Sequence, residues 1–271
     1  MPSRYASPRK GNPLQFTVDQ HVFPRSGIAR FIGADGKVEL QSLRSVSSRR
    51  KVPTATVFCA ERAWDQNTET WRTRGYEGRF HSLADEIAGG RKTRLSPDDD
   101  KVVSEFFALW TARHRARHNP TGDVIMNGVI PDPPITDEHA ENLEANGYAY
   151  ARGKVMPSHI LTGIRMKLQM DRSAIRLDGV HWGIVRASYG EFLVPDNNDG
   201  FAAVPLTPQL CLLAESGDVE ASPVEVATIN YVALLRASEY YFGRNLASCP
   251  ILRRSIPWNM GEEPLPARTR S

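Results

Sequence analysis

The sequence predicts an α+β fold: a mainly helical single domain enclosing a small antiparallel sheet, with flexible termini. Three observations predict it. Segments with helix start and stop signals are interspersed with a few short strand-like runs, without the regular alternation of a βαβ-wound chain. With 271 residues, 41% of them hydrophobic, the chain can bury a sizeable core. Both ends are rich in Arg, Lys, Pro or Ser and poor in acids over long stretches, the composition of solvated tails.

Taken in order, residues 1–15 predict a flexible basic tail, 16–245 a single α+β domain and 246–271 a C-terminal extension ending in EEPLPARTRS. In segment 28–43, IARFIGADGKVELQSL, the pair Asp35-Gly36 sits between apolar flanks and predicts a β-hairpin. GYEGRFHSLADEIAGG predicts a short helix closed by Gly89-Gly90. The clearest helix is LSPDDDKVVSEFFALWTARHRARHNP. Ser96 suits its N-cap and Pro97 its first turn, and Asp98, Asp99 and Asp100 oppose the positive end of the dipole. Val102, Val103, Phe106, Phe107, Leu109 and Trp110 supply its buried side, and Asn119-Pro120 stops it. A Pro-rich connection at 130–135 can serve as a hinge, and helices are predicted at 137–146, ended by Gly147, and at 157–170. VHWGIVRASYGEFLVPD alternates around Ser188-Tyr189-Gly190 and predicts strand, turn, strand, with a third strand in VPLTPQLCLLA. In SPVEVATINYVALLRASEYYFG, Ser222 and Glu225 have capping-box spacing and predict the start of the last long helix.

Several function classes are excluded. The sequence lacks G-x-x-x-x-G-K-[ST], a G-x-G-x-x-G following a strand, H-E-x-x-H and G-x-S-x-G, which argues against P-loop NTPases, Rossmann enzymes, zincins and ordinary serine hydrolases. The net charge of +3 and pI near 8.8 are only mildly basic. Cys59, Cys211 and Cys249 are odd in number and widely spaced, which predicts buried thiols in a reducing compartment. No apolar run approaches the ~18 residues of a membrane span, and MPSRYASPRKGNP lacks a signal-peptide core, so a cytoplasmic protein without membrane contact is expected.

Three sets of residues can carry chemistry. His114 and His118 in RHRARH stand one helical turn apart, a spacing that can hold a metal, but Arg113, Arg115 and Arg117 surround them and disfavour a cation. No metal ligand is therefore assigned. The same basic helix end either complements the dipole or grips a nucleic-acid backbone through His114, Arg115, Arg117 and His118, joined by Arg25 and Arg30. In FLVPDNNDG, Asp196 is either a carboxylate delivered by a strand end or part of an Asx-rich turn. His21, beside the Pro24 turn, is either a structural latch or a base. As a base it finds Glu77 as its acid and Arg113 as its oxyanion clamp, the parts that metal-independent RNA cleavage requires.

A family resemblance rests on four blocks. His21-Val22-Phe23-Pro24 with Ile28 and Phe31, then FCAERAWDQNTETWRTRGYEGRFHSLADEI with Glu77, are followed by HWGIVRASYGEFLVPDNNDGFAAVPLTPQLCLLA with Trp182 and Asp196, and by ATINYVALLRASEYYF with Asn230. In kind and order these resemble a largely bacterial family known as domain of unknown function four-two-three-eight, over roughly residues 16–245. Gln20 and Pro195 stand where that family commonly carries a second histidine and a serine. The resemblance implies an α+β fold and a shared polar framework including Asn230, and it brings no activity.

Together these readings point to a nucleic-acid-acting enzyme, a ribonuclease-like effector such as a toxin or phage-defence component, built on His21, Glu77, Arg113 and Asp196. Its expected partner is RNA or another nucleic acid, and a cognate partner protein is also compatible; no cofactor is specified. The competing readings are a non-enzymatic interaction module and a ligand-sensing module, in which the same polar groups are structural or line a pocket.

Overall fold

Residues 6–70, 72–128 and 135–252 are described by the computed structural model, apart from the side chains of residues 72–74. In chain order its elements are β1 (Asp19–His21), α1 (Arg25–Ala29), β2 (Val38–Ser42), β3 (Ser48–Lys51), β4 (Cys59–Glu61), α2 (Gln66–Thr70), α3 (Arg72–Ala88) and α4 (Pro97–His118). There follow β5 (Val124–Ile125), α5 (Asp137–Ala145), β6 (Val155–Met156), α6 (Ser158–Arg176), β7 (Trp182–Ala187), β8 (Val194–Pro195), β9 (Ala203–Thr207), β10 (Leu210–Ala214), β11 (Val219–Ala221), α7 (Pro223–Arg236) and β12 (Tyr240–Gly243).

Helices account for 40% and strands for 19%, a mixed α+β fold. One small sheet enclosed by helices was the expectation; among the described residues there are instead two four-stranded sheets, ordered β11-β7-β10-β9 and β3-β2-β12-β8, and two two-stranded ones, β1-β4 and β5-β6. The Asp35-Gly36 turn, with Gly36 at φ +70°, leads from α1 into β2, and the hairpin is formed one step later by β2 and β3. The segment 180–196 supplies two strands that do not pair with each other: β7 joins β10 and β11, and β8 joins β12. VPLTPQLCLLA, expected as one strand, folds into the β9-β10 hairpin. YYFG leaves the last helix and becomes β12, inserted between β2 and β8. Local pattern marks a strand but not its partner, because the period-2 alternation is the same whichever strand lies alongside.

Helix α4 is the organising element. Ser96 Oγ accepts from Asp99 N and the Asp99 carboxylate accepts from Ser96 N at 2.9 Å, a reciprocal box that satisfies end donors of the helix. Asp100 adds a long-range tie, accepting from Trp182 N at 2.9 Å and so anchoring the start of β7. Val103, Phe106, Phe107 and Trp110 enter a main core that draws residues from Val22 to Phe242. Phe106 stacks on Phe80 at 3.6 Å, and Trp110 meets Phe23 edge-on at 4.8 Å. Leu109, Ala112 and Ala116 face a second cluster with Trp64, Met166 and Met170. Burial of each large side chain contributes roughly 1.5–3 kcal/mol. A helix packed on two sides carries its polar residues inward too, so Arg113 and His114 become interior groups.

Of residues 6–15, expected in a flexible tail, Arg9 reaches α5. Arg9 Nε donates to Glu141 at 2.8 Å, and Asn12 and Phe16 exchange two 2.8 Å bonds. The hinge expected at 130–135 falls almost wholly outside the described residues, as do residues 253–271 of the extension. Cys59, Cys211 and Cys249 are free and buried, with burial pushing their thiols up to about 11, 12 and 12. Among the described residues no helix is long and apolar enough to cross a membrane.

Candidate functional site

His21, Glu77 and Arg113, distant in sequence, line one open cleft of about 490 Å³ together with Asp19, Arg25, Ser26 and Glu69. β1 delivers His21 opposite Cys59 of β4, and the preceding residue, Gln20, is fully buried and exchanges two bonds with the Trp64 backbone, at 2.9 and 3.1 Å. Gln20 is thus a rivet, and His21 is the residue left to face the cleft. The His21 Nε2 donates to the Pro53 carbonyl at 3.0 Å. A carbonyl only accepts, so Nε2 carries the proton and Nδ1 holds the lone pair of the neutral ring.

Arg113, 2% exposed, is the electrostatic hub: Nη1 donates to Glu77 Oε1, Nη2 lies 3.6 Å from Glu69 Oε2, and its guanidinium lies 5.8 Å from the Trp64 ring. Among the described residues its Nε has no hydrogen-bond partner. Glu69 is the cleft carboxyl that sequence reasoning missed. Burial raises its pKa, outweighing the Arg113 charge and a 2.7 Å bond from Trp64 Nε1, and the Glu77 charge adds to the rise. The cap that starts α2, in which Asp65 accepts from Thr68 N at 2.8 Å, was readable in Asp65-x-x-Thr68. The approach of Glu69 to Arg113 was not, because it depends on where the tertiary fold places α2 relative to α4.

Ser26 and His81 imitate a nucleophile and base, at 2.5 Å between Oγ and Nε2. Arg30 Nη1, however, donates to His81 Nδ1 at 3.0 Å, so the neutral ring carries its proton on Nε2 and donates to Ser26. His81 therefore cannot take the serine proton, and the Ser26 hydroxyl keeps its own proton for another acceptor. Burial, reinforced by Arg30, pushes His81 down to about 4. Between that value and the ordinary 6.5 the unfolded chain binds a proton that the folded protein refuses, so stability is fully present above about pH 6.5 and falls toward pH 4. The expected loss is about 2–3 kcal/mol, read as urea midpoints from pH 7 to 4.5. His81→Asn should make that slope shallower without abolishing it, because His114, pushed down to about 3, contributes over the same pH range; an equally steep slope in the variant would refute the assignment.

The remaining candidates sit elsewhere. Asp196 does not line the cleft. It accepts from Ser238 N at 2.7 Å and Glu239 N at 2.9 Å, lies 3.8 Å from His114 Nε2, and burial raises its pKa against those bonds. The basic helix end is not a free phosphate patch. Arg115 is paired with Asp199, Arg117 donates to Glu239 and the Val57 carbonyl at 2.8 Å each, and His114 is buried, with burial and the neighbouring cations pushing it down to about 3. His118 is half-buried against the His114 ring. Arg30 is committed to His81 and Asp85. Of the cations assigned to nucleic acid, Arg25 is exposed on the cleft rim. Asn230 is a framework residue: fully buried, it accepts from Leu193 N at 3.0 Å and donates to the carbonyls of Glu191 and Pro250 at 2.8 and 3.0 Å.

In comparisons with known proteins, no family model matches the chain, and neither a curated protein nor a solved structure does.

Proposed function

We propose that the cleft is the active site of an acid–base enzyme that cleaves the phosphodiester backbone of RNA without a metal ion. The observation that carries this reading is the convergence of His21, Glu69 and Arg113 on one open cleft, with a carboxyl of raised pKa beside an oriented imidazole. His21 Nδ1 takes the proton of the attacking 2′-hydroxyl, and Glu69, whose pKa burial raises, gives its proton to the leaving 5′-oxygen as the P–O5′ bond breaks. Arg113 and Arg25 stabilise the charge that develops on the phosphorane. Glu77 orients Arg113 through their ion pair and replaces nothing in the proton transfer. Asp196 has no part in it.

The test is incubation of the full chain with RNA and with single- and double-stranded DNA, with and without chelator, beside His21→Ala and Glu69→Gln verified as folded. RNA cleavage should persist in chelator and fall about 10²–10⁴-fold in His21→Ala. Absence of RNA cleavage by the unaltered protein, or equal cleavage by His21→Ala, would overturn the reading. One observation favours the interaction or sensing module instead: Arg113 already has two carboxylates beside it. On that reading His21→Ala removes only its bond to Pro53 and costs about 1–3 kcal/mol of stability with no catalytic effect.

A further inference from the structure

His114 and His118 stand one turn apart on α4, and Asp196 at the end of β8 closes the third side. One ligand atom from each of the three lies within 4.8 Å of the other two, the imidazole rings are 4.2 Å apart between centroids, and His114 Nε2 is 3.8 Å from Asp196 Oδ2. His114 is 6% exposed, and among the described residues neither its Nε2 nor that of His118, both buried, has a hydrogen-bond partner. Two such orphaned imidazole nitrogens beside one buried carboxylate require an explanation.

The sequence argument against a metal here was the run of arginines. That objection is removed by their pairing: Arg113 with Glu77 and Glu69, Arg115 with Asp199, and Arg117 with Glu239. His118 Nδ1 also faces Glu239 Oε1 at 3.9 Å, the side from which an outer carboxylate orients a ligating imidazole.

We infer that His114, His118 and Asp196 form a binding site for one divalent transition-metal ion, with zinc the best fit. Two imidazoles and a carboxylate suit Zn²⁺ and its first-row neighbours, whereas Mg²⁺ and Ca²⁺ require oxygen donors. Donors at tetrahedral zinc lie about 3.3 Å apart, so the 3.8 Å pair, in a set whose donor atoms lie within 4.8 Å of one another, draws closer when an ion binds. Three protein ligands leave a coordination position for water. The ion joins the last turn of α4 to β8. Through the Ser238 and Glu239 N–H bonds to Asp196, it also reaches the chain entering β12. The inference does not rest on the chemistry of the cleft.

The test is calorimetric titration of the chelator-stripped full chain with Zn²⁺ alone, with Co²⁺ as the spectroscopic probe. The expected result is one Zn²⁺ per chain at micromolar concentration, a visible Co²⁺ spectrum of nitrogen and oxygen ligation, and a Zn²⁺-dependent rise in the thermal midpoint. His118→Ala and Asp196→Asn should each weaken binding at least about tenfold. Were either variant to lose its fold by circular dichroism, His118→Gln, at a half-buried position, takes its place. No stoichiometric Zn²⁺ binding, or binding unchanged in folded variants at these positions, would overturn the inference.

Discussion

Glu144→Ala should destabilise the protein by about 3–5 kcal/mol, the cost of stranding a buried charge. Arg62 Nη2 donates to both Glu144 oxygens, at 2.9 and 2.8 Å, with the two side chains 4% and 2% exposed. Gln66 N donates to the same carboxylate at 2.9 Å, and His159 Nε2 lies 3.2 Å from it. Burial works to raise the Glu144 pKa, but the His159 bond and the Arg62 charge outweigh it, and the carboxyl ends below its ordinary value of 4.5. Since the folded pKa is the lower one, this contribution is present above about pH 4.5 and is lost as pH falls through the folded value.

Without Glu144, Arg62 remains among groups that cannot hydrate it, and its Nη1 already lacks a hydrogen-bond partner among the described residues. The denaturant midpoint should fall with an unchanged slope. The double variant Arg62→Met with Glu144→Leu should recover most of the loss, because it removes both charges and keeps the volume. A loss below about 1 kcal/mol in Glu144→Ala would mean that the pair is effectively solvated. The consequence reaches the cleft, since the Gln66 bond fixes the start of α2, the helix that carries Glu69.

Gly183→Ala should cost about 3 kcal/mol or more, at or beyond the top of the usual range for overpacking. Gly183 lies in β7 opposite Leu213, and a Cβ there would stand 2.3 Å from the Gly217 carbonyl oxygen and 2.4 Å from that of Ser216. These are backbone atoms and cannot rotate aside. Their loop is tied on both flanks, by Glu215 N donating to the His181 carbonyl at 2.7 Å and Ile184 N donating to Asp218 at 2.8 Å. Gly78→Ala, on α3 with nothing within 4 Å of the new methyl, is the control and should stabilise by about 0.5–1 kcal/mol. Equal midpoints for the two variants would show that the 216–217 loop yields freely.

The candidate site was half legible before the fold was known. His21, Glu77 and Arg113 could be named because their residue types can supply a base, an acid and an oxyanion clamp, and all three line the cleft. Asp196, a candidate as a carboxylate at a strand end, lies instead against His114 and His118. Glu69 escaped notice because nothing local sets it apart from other acids; its raised pKa arises from burial beside Trp64 and Arg113. RHRARH looked like an exposed basic end because the acids that neutralise it, Asp199 and Glu239, are contributed from far along the chain.

The sequence by itself determined where α4 and α5 begin and end and where α7 begins. The Ser96–Asp99 and Ser222–Glu225 boxes, the proline in each first turn and the glycine after α5 act over one or two turns, so their free energy is local and readable in order. Tertiary structure alone decided which strands pair, as with β12 between β2 and β8, and which polar groups meet. Those contacts join segments up to about two hundred residues apart, and their energies arise from burial and charge pairing that exist only once α4 is enclosed on both sides.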